Sequence, residues 1–214
     1  MLKFNSELRA EARASLKGKW RIAAVITLIY MIIIALAIPS WTTTLKGSQD
    51  FVITISGISP SLCLFFLLLG GTVFRYGMII IFLRSVREKR LEAGDLFSGF
   101  RNYGAALATM LLRLTYTFLW SLLLIVPGII KAYSYAMTPY LLHDNPELGA
   151  ETLICKSMEM MKGHKKKLFL LNLSFIGWGL LCVLTLGIGV LWLIPYVQSA
   201  RAAFYENVRT AAKA

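Results

Sequence analysis

The sequence predicts an all-α integral membrane protein on three observations: apolar runs without charge, basic residues gathered in blocks between them, and short helices that precede them. Of its 214 residues, 57% are hydrophobic and 16% charged, against about 45–50% and about 25% in a soluble domain. Ile22 to Leu45, Phe51 to Phe74 and Leu168 to Ala200 carry no charge at all. About 20 apolar residues at 1.5 Å rise cross roughly 30 Å of hydrocarbon, so each run is long enough to span a bilayer. A chain of this length needs one core, and a soluble core leaves the surplus apolar residues unplaced.

Topology follows from the charges. Apart from Lys46, Arg75, Arg113 and Lys131, all 23 Lys and Arg residues fall in four blocks. The blocks are Lys3 to Arg21, Arg84 to Arg101, Lys156 to Lys167, and Arg201 to Lys213. If each interval between blocks is a hairpin, every block lies on one side, and the positive-inside rule makes that side cytoplasmic. The expectation is about six helices, near 20–38, 61–83, 104–120, 122–143, 167–185 and 189–207, in one membrane domain with both termini in the cytoplasm. Residues 105–142 lack a hydrophilic turn, so two full spans and a re-entrant hairpin both fit them. The first apolar run is expected to be a retained helix, because its basic leader is itself helical in pattern.

A helix-plus-hairpin unit is expected to occur three times, over about 4–90, 91–144 and 145–207. In the first copy Phe4, Leu8, Ala12 and Leu16 form an apolar stripe before Lys17-Gly18-Lys19. The middle copy is shorter, Asp95 to Arg101. In the last, Asn145-Pro146 reads as a helix start, and Leu153, Ile154, Met160 and Met161 precede Lys162-Gly163-His164. Within the hairpins Gly70-Gly71, Pro127-Gly128 and Pro195-Tyr196 interrupt the apolar runs, with Arg75, Lys131 and Arg201 soon after. Prolines there either kink or start a helix or free carbonyls to line a site. The short helices are expected at the cytoplasmic interface, where basic residues meet anionic lipid.

The site candidates are Arg75, Arg113, Lys131 and Arg201, with Tyr133 among the neighbouring tyrosines. An ionised side chain near the bilayer centre costs about 2.5–3.5 kcal/mol and usually faces the bundle interior or water. Among Asp and Glu only Glu206 enters an expected span, which leaves carbonyls, tyrosine hydroxyls or an anionic ligand as partners. A basic cavity for a phosphate headgroup or another anion and snorkelling to an interface are the two open readings. His143, Asp144, Glu147 and Glu151 could gather round a metal ion, yet acidic residues in a first turn also suit the helix dipole. No metal or cofactor is expected.

A net charge of +12 raises nucleic acid, but the cations cluster at run ends with no interleaved aromatic platform, so no nucleic-acid partner is expected. Cys63, Cys155 and Cys182 form neither a CxxC motif nor a disulfide framework. Nucleotide loop, zinc-protease pair and nucleophile elbow are absent from the sequence, and a non-enzymatic role is expected.

The run from Pro127 to Met137, then Asp144-Asn145-Pro146-Glu147-Leu148, then Ser157 to His164, Phe175 to Trp178 and Leu186 to Gly189 resembles a bacterial membrane-protein family catalogued as domain of unknown function 975. The resemblance is strongest over 94–205. More distantly the chain is similar to the membrane region attached to some glycerophosphodiester phosphodiesterases, without that enzyme's acidic metal-binding pattern. The resemblance implies a fold and the bacterial cytoplasmic membrane, and no activity. The expected function is binding or handling of anionic lipid or another amphiphilic anion. A transporter or accessory subunit of a membrane complex is the alternative, with a membrane-protein partner or homo-oligomer, and then an immunity-type protein against a membrane-active peptide.

Reporter fusions check the topology: those after Lys19, Arg90 and Lys167 should report cytoplasm, and one after Lys46 the opposite side. An outside signal at Arg90 or Lys167 would sink the three-hairpin arrangement.

Overall fold

In a computed structural model that describes residues 3–36, 44–46, 52–54, 60–92, 94–95, 100, 102–185 and 187–213, the chain is helical almost throughout. Helices α1 (Asn5–Leu16), α2 (Trp20–Leu36) and α3 (Pro60–Glu88) come first, then α4 (Tyr103–Leu123), α5 (Ile125–Ser134) and α6 (Thr138–Asp144). After them come α7 (Ala150–Met160), α8 (Lys165–Leu173), α9 (Ile176–Leu184) and α10 (Val190–Lys213). Between α2 and α3 a two-stranded antiparallel ribbon, β1 (Thr44–Lys46) and β2 (Val52–Thr54), sets Thr44 opposite Thr54 and Lys46 opposite Val52. Sequence reading expected only a connection there, because three-residue strands are too short to register a period.

Two helical stretches, Tyr103–Leu123 and Lys165–Leu184, are long and apolar enough to cross a membrane, and Trp20–Ile34 is a shorter apolar helix. Only 17% and 22% of the two longer windows are buried by protein. The core helix of a soluble protein would be mostly covered, so these present apolar surface outward.

The short helix α1 starts where Glu7 accepts a hydrogen bond from the Phe4 backbone N–H at 2.7 Å, which satisfies one of the orphan donors of a first turn. Leu8, Ala12 and Leu16 are fully buried, and α1 packs on α3 and α10. Phe4 departs from the expected stripe: it is the residue before the helix and is 72% exposed. The helix stops at Lys17, and Gly18 turns the chain with φ +78°, a left-handed conformation that glycine adopts without strain.

The apolar stretch from Tyr103 to Asp144 resolves the missing turn. The helix breaks at Leu124, whose φ −161° and ψ 141° are extended, so α4 and α5 form a hairpin with no polar residue at its tip. Pro127 sits in the first turn of α5, where its missing N–H costs nothing; it starts a helix rather than interrupting one. A Cβ on Gly128 would stand 2.3 Å from Ser121 Oγ and 2.7 Å from Ser121 Cα, so glycine lets the two helices touch at the closed end of the hairpin.

The expected continuous helix over 122–143 is divided a second time, at residues 135–137, between α5 and α6. Ser157 of α7 bridges that break: its hydroxyl donates to the Ser134 carbonyl at 2.8 Å and accepts from the Met137 N–H at 3.2 Å. The last short helix therefore serves the interior, with Leu153, Ile154 and Met161 buried beside Ser157. It begins at Ala150, not at Asn145-Pro146. Asn145 instead ends α6, its side-chain N–H donating back to the Leu141 carbonyl. Gly70-Gly71 likewise leave α3 unbroken. Of the middle short helix, residues 96–99 and 101 lie outside the described residues.

Replacing Gly128 by Ala should cost about 1–3 kcal/mol through overpacking against Ser121. Gly177→Ala in α9, where a Cβ meets nothing within 4 Å, should stabilise by up to about 1 kcal/mol. Thermal unfolding in detergent compares the two, and equal effects would mean that α4 and α5 do not touch at this point.

Candidate functional site

Helical spacing selects which side chains meet in the interior. On α5, Ile129, Ala132 and Tyr133 recur at three and four residues and share one face, and that face, with Ala136 in the turn after the helix, lines a cavity of about 360 Å³. Arg75 enters it from α3, Arg113 from α4, Arg201 from α10, and Tyr140 from α6. Four of the five expected site residues, Arg75, Arg113, Tyr133 and Arg201, thus converge on one cavity. Lys131 does not. It lies one residue before the cavity face, about 100° round the helix, and its Nζ stands 4.6 Å from the centroid of the Trp120 ring. A cation over an indole face is an adequate partner in a dry setting, so Lys131 is satisfied locally.

The three arginines are held differently. Arg201 donates from Nε and Nη2 to Asn172 Oδ1, both at 3.1 Å, and Asn172 donates onward to the Tyr133 hydroxyl at 3.4 Å. The Arg75 and Arg113 guanidinium groups make no hydrogen bond or ion pair among the described residues; the Arg113 carbonyl accepts from the Thr117 hydroxyl at 2.8 Å. Both Arg75 and Arg201 act on Arg113 as like charges, and the Tyr140 hydroxyl feels all three. Among the described residues no Asp or Glu lines the cavity. A smaller chamber of about 120 Å³ adjoins it, sharing Arg75, Arg113 and Ala132 and extending toward Thr72 and Thr117.

Sequence reading missed Asn172 and Gln198, which also line the cavity. Both were visible as polar residues inside the uncharged run Leu168 to Ala200, where an unpaired amide is expensive. Without a partner in view they carried no assignment.

The acidic candidates have another use. Arg87 of α3 grips Asp144 at the end of α6 with two parallel bonds, Nη1 to Oδ1 at 2.7 Å and Nη2 to Oδ2 at 2.8 Å. Its Nε donates to Glu206 of α10 at 2.7 Å. The Tyr205 hydroxyl donates to Asp144 Oδ2 at 2.6 Å, and Arg209 stands 3.4 Å from the same oxygen. Glu151 accepts from Tyr116 at 3.3 Å. With His143 and Glu147 these residues do not assemble: among the described residues no group of three or more His, Cys, Asp or Glu is placed to hold a metal ion.

Burial pushes the Asp144 carboxyl up, but the hydrogen bonds from Arg87 and Tyr205 and the Arg87 and Arg209 charges outweigh it, so it titrates below the usual carboxylate range. A depressed folded value means that ionised Asp144 stabilises the fold above the unfolded value, about pH 4. That stability drains away as pH falls through the lower folded value. Arg87→Ala should cost about 2–3 kcal/mol at neutral pH, because it removes the charged bonds to Asp144 and Glu206 and leaves them only the Tyr205 hydroxyl and the longer contacts to Arg209. Asp144→Asn should flatten the loss of stability as pH falls below about 4. Denaturation followed at several pH values tests both, and an unchanged acid limb in Asp144→Asn would remove Asp144 as its source.

A family model described as protein of unknown function (DUF975) matches residues 1–134 and 121–212. No curated protein and no solved structure matches the chain, and the distant likeness to the phosphodiesterase membrane region is not shown.

Proposed function

This chain belongs to the DUF975 family of unknown function, and from that premise we propose that it is a non-enzymatic multi-pass membrane protein that binds an anionic group in its arginine cavity. The single observation that carries the reading is the convergence of Arg75, Arg113 and Arg201 on one cavity that no carboxylate among the described residues lines. An anion about 4 Å from one guanidinium gains about 4 kcal/mol at an effective dielectric of 20, and three such groups also repel one another until an anion arrives. Tyr133, Tyr140, Asn172 and Gln198 add hydrogen-bonding groups on the same walls, in keeping with a tetrahedral oxyanion such as a lipid phosphate.

Six spans with both termini in the cytoplasm remain the best topology. They are supported by the basic blocks and by the outward apolar surface of α4, α8 and α9. Leu122 to Val126 at the α4–α5 tip are between 62% and 75% exposed, a surface that suits hydrocarbon and not water. The helix-plus-hairpin repeat is supported at its two outer copies. Phe4 and Gly149 precede α1 and α7 with φ −67°, ψ 158° and φ −63°, ψ 152°. Gly18 and Gly163 follow them with φ +78° and +76°. Between these points Leu8, Ala12 and Leu16 match Leu153, Ser157 and Met161 at one constant spacing, all buried.

A transport path is the second reading, favoured by the adjoining chamber beyond Arg75 and Arg113. Arg113→Gln in nanodiscs should weaken binding of phosphatidylglycerol or inorganic phosphate by about tenfold or more, the value of a hydrogen bond to a charged group, with helicity and insertion intact. Unchanged affinity for both probes would overturn the cavity as an anion site. Phosphate flux into vesicles, lost in the same variant, would turn binding into transport.

A further inference from the structure

A second cavity lies away from the arginines. It has a volume of about 390 Å³ and is walled by Trp178, Leu181 and Cys182 of α9 and by Trp192, Leu193 and Tyr196 of α10. Trp20, the first residue of α2, lies at one end, and Arg13 of α1 beside it. Thr185 and Gly189, at the α9–α10 turn, close the other end. Among the described residues none lines both this groove and the arginine cavity.

The two ends differ chemically. At the turn the polar groups are used up: the Thr185 hydroxyl donates to the Cys182 carbonyl at 3.0 Å and accepts from the Gly189 N–H at 3.2 Å. A Cβ on Gly189 would stand 2.8 Å from Cys182 Sγ, so the chain is packed shut there. At the opposite end Arg13 is exposed and makes no ion pair among the described residues. Between them the walls are indole, leucine and tyrosine, with Trp20 edge-on to Tyr196 at 6.4 Å between centroids. Trp178 is 53% and Trp192 47% exposed, on helices whose outer surface is apolar.

We propose that this groove seats one acyl chain of an amphiphile whose anionic head meets Arg13. Shape argues against a protein helix as occupant, because a helix about 10–12 Å across would use up the volume in about one turn. Charge argues for an anionic head, since the one ionised residue among the described residues that line the groove, Arg13, is exposed and positive. The chemistry fits a phospholipid phosphate or a fatty-acid carboxylate alike.

The test uses the full chain in nanodiscs with Trp41→Phe and Trp120→Phe, so that emission comes from Trp20, Trp178 and Trp192. Lipids with brominated chains quench by contact. Brominated phosphatidylglycerol, diluted in unbrominated phosphatidylcholine, should quench about fivefold more strongly per mole than brominated phosphatidylcholine, the factor for about 1 kcal/mol from one basic side chain at an anionic surface. Arg13→Gln should abolish that preference, and Leu181→Phe, which fills the groove without adding an indole, should blunt contact quenching by phosphatidylglycerol. A brominated fatty acid that competes assigns the carboxylate source as well; one that does not leaves the phospholipid as occupant. Arg113→Gln should leave the preference unchanged, so the groove can stand if the arginine cavity fails, and the reverse. Quenching that follows mole fraction regardless of head, or a preference lost in Arg113→Gln and kept in Arg13→Gln, would overturn the proposal.

Discussion

One guanidinium sets the frame. Arg87 holds Asp144 with two bonds and Glu206 with a third, and so ties α3, α6 and α10 at one level. The pairing is strong because Arg presents a rigid fork that a carboxylate accepts side by side. Around it the core closes, with Phe82, Leu142 and Phe204 fully buried. Tyr140 stacks on Tyr205 at 5.0 Å between centroids, while Tyr205 donates to Asp144. Arg75 stands on the same helix as Arg87, and Arg201 on the same helix as Glu206. Clamping those helices fixes the axial level at which both arginines enter the cavity, and Tyr140 links the clamp to the cavity wall.

The clamp also explains why the cavity stays positive. The chain has 11 acidic residues against 23 basic ones. Asp144 and Glu206 are consumed by Arg87 and Arg209, Asp95 by Arg84, and Glu11 by Lys3. Carboxylates thus sit near the basic blocks and away from the apolar middle of the helices. A charge-balanced cluster and an uncompensated one are two results of the same distribution.

Much of this was legible in the sequence, for physical reasons. Uncharged runs and basic blocks mark helices and their ends whatever the packing, so α2, α3, α4 and α10 fall near their expected limits. Cations inside apolar runs are expensive enough to be noticed singly, which is why Arg75 and Arg113 could be named in advance, whereas Arg201 stood in a basic block and was named for its place after Pro195-Tyr196. Direction round a helix is harder to read: Lys131 and Tyr133 are two residues apart, yet one meets Trp120 and the other the cavity. The exact places of the helix breaks were harder to read, although Pro127 follows the first within the opening turn of α5 and Pro139 follows the second within that of α6. Leu124 is extended because the chain must reverse there, and residues 135–137 are unwound because Ser157, distant in sequence, supplies the missing bonds.

That last contact bears on what the short helices are for. An amphipathic helix beside a membrane can spend its apolar face on lipid or on protein. Here α1 spends Leu8, Ala12 and Leu16 on α3 and α10, and α7 spends Leu153, Ile154 and Met161 on the interior. No apolar face is left for α1 to lie on a bilayer as an independent anchor. Outward on α1 and the turn after it stand Arg13 and Lys17, exposed, and Arg9 and Lys19, half-buried, alongside the exposed Glu7 and the half-buried Glu11. These charges are carried on a helix rigidly joined to the bundle, so an anionic head that meets Arg13 is positioned relative to the α9–α10 groove rather than attracted to the surface at large. Burying the apolar stripe converts a general membrane affinity into a directional one.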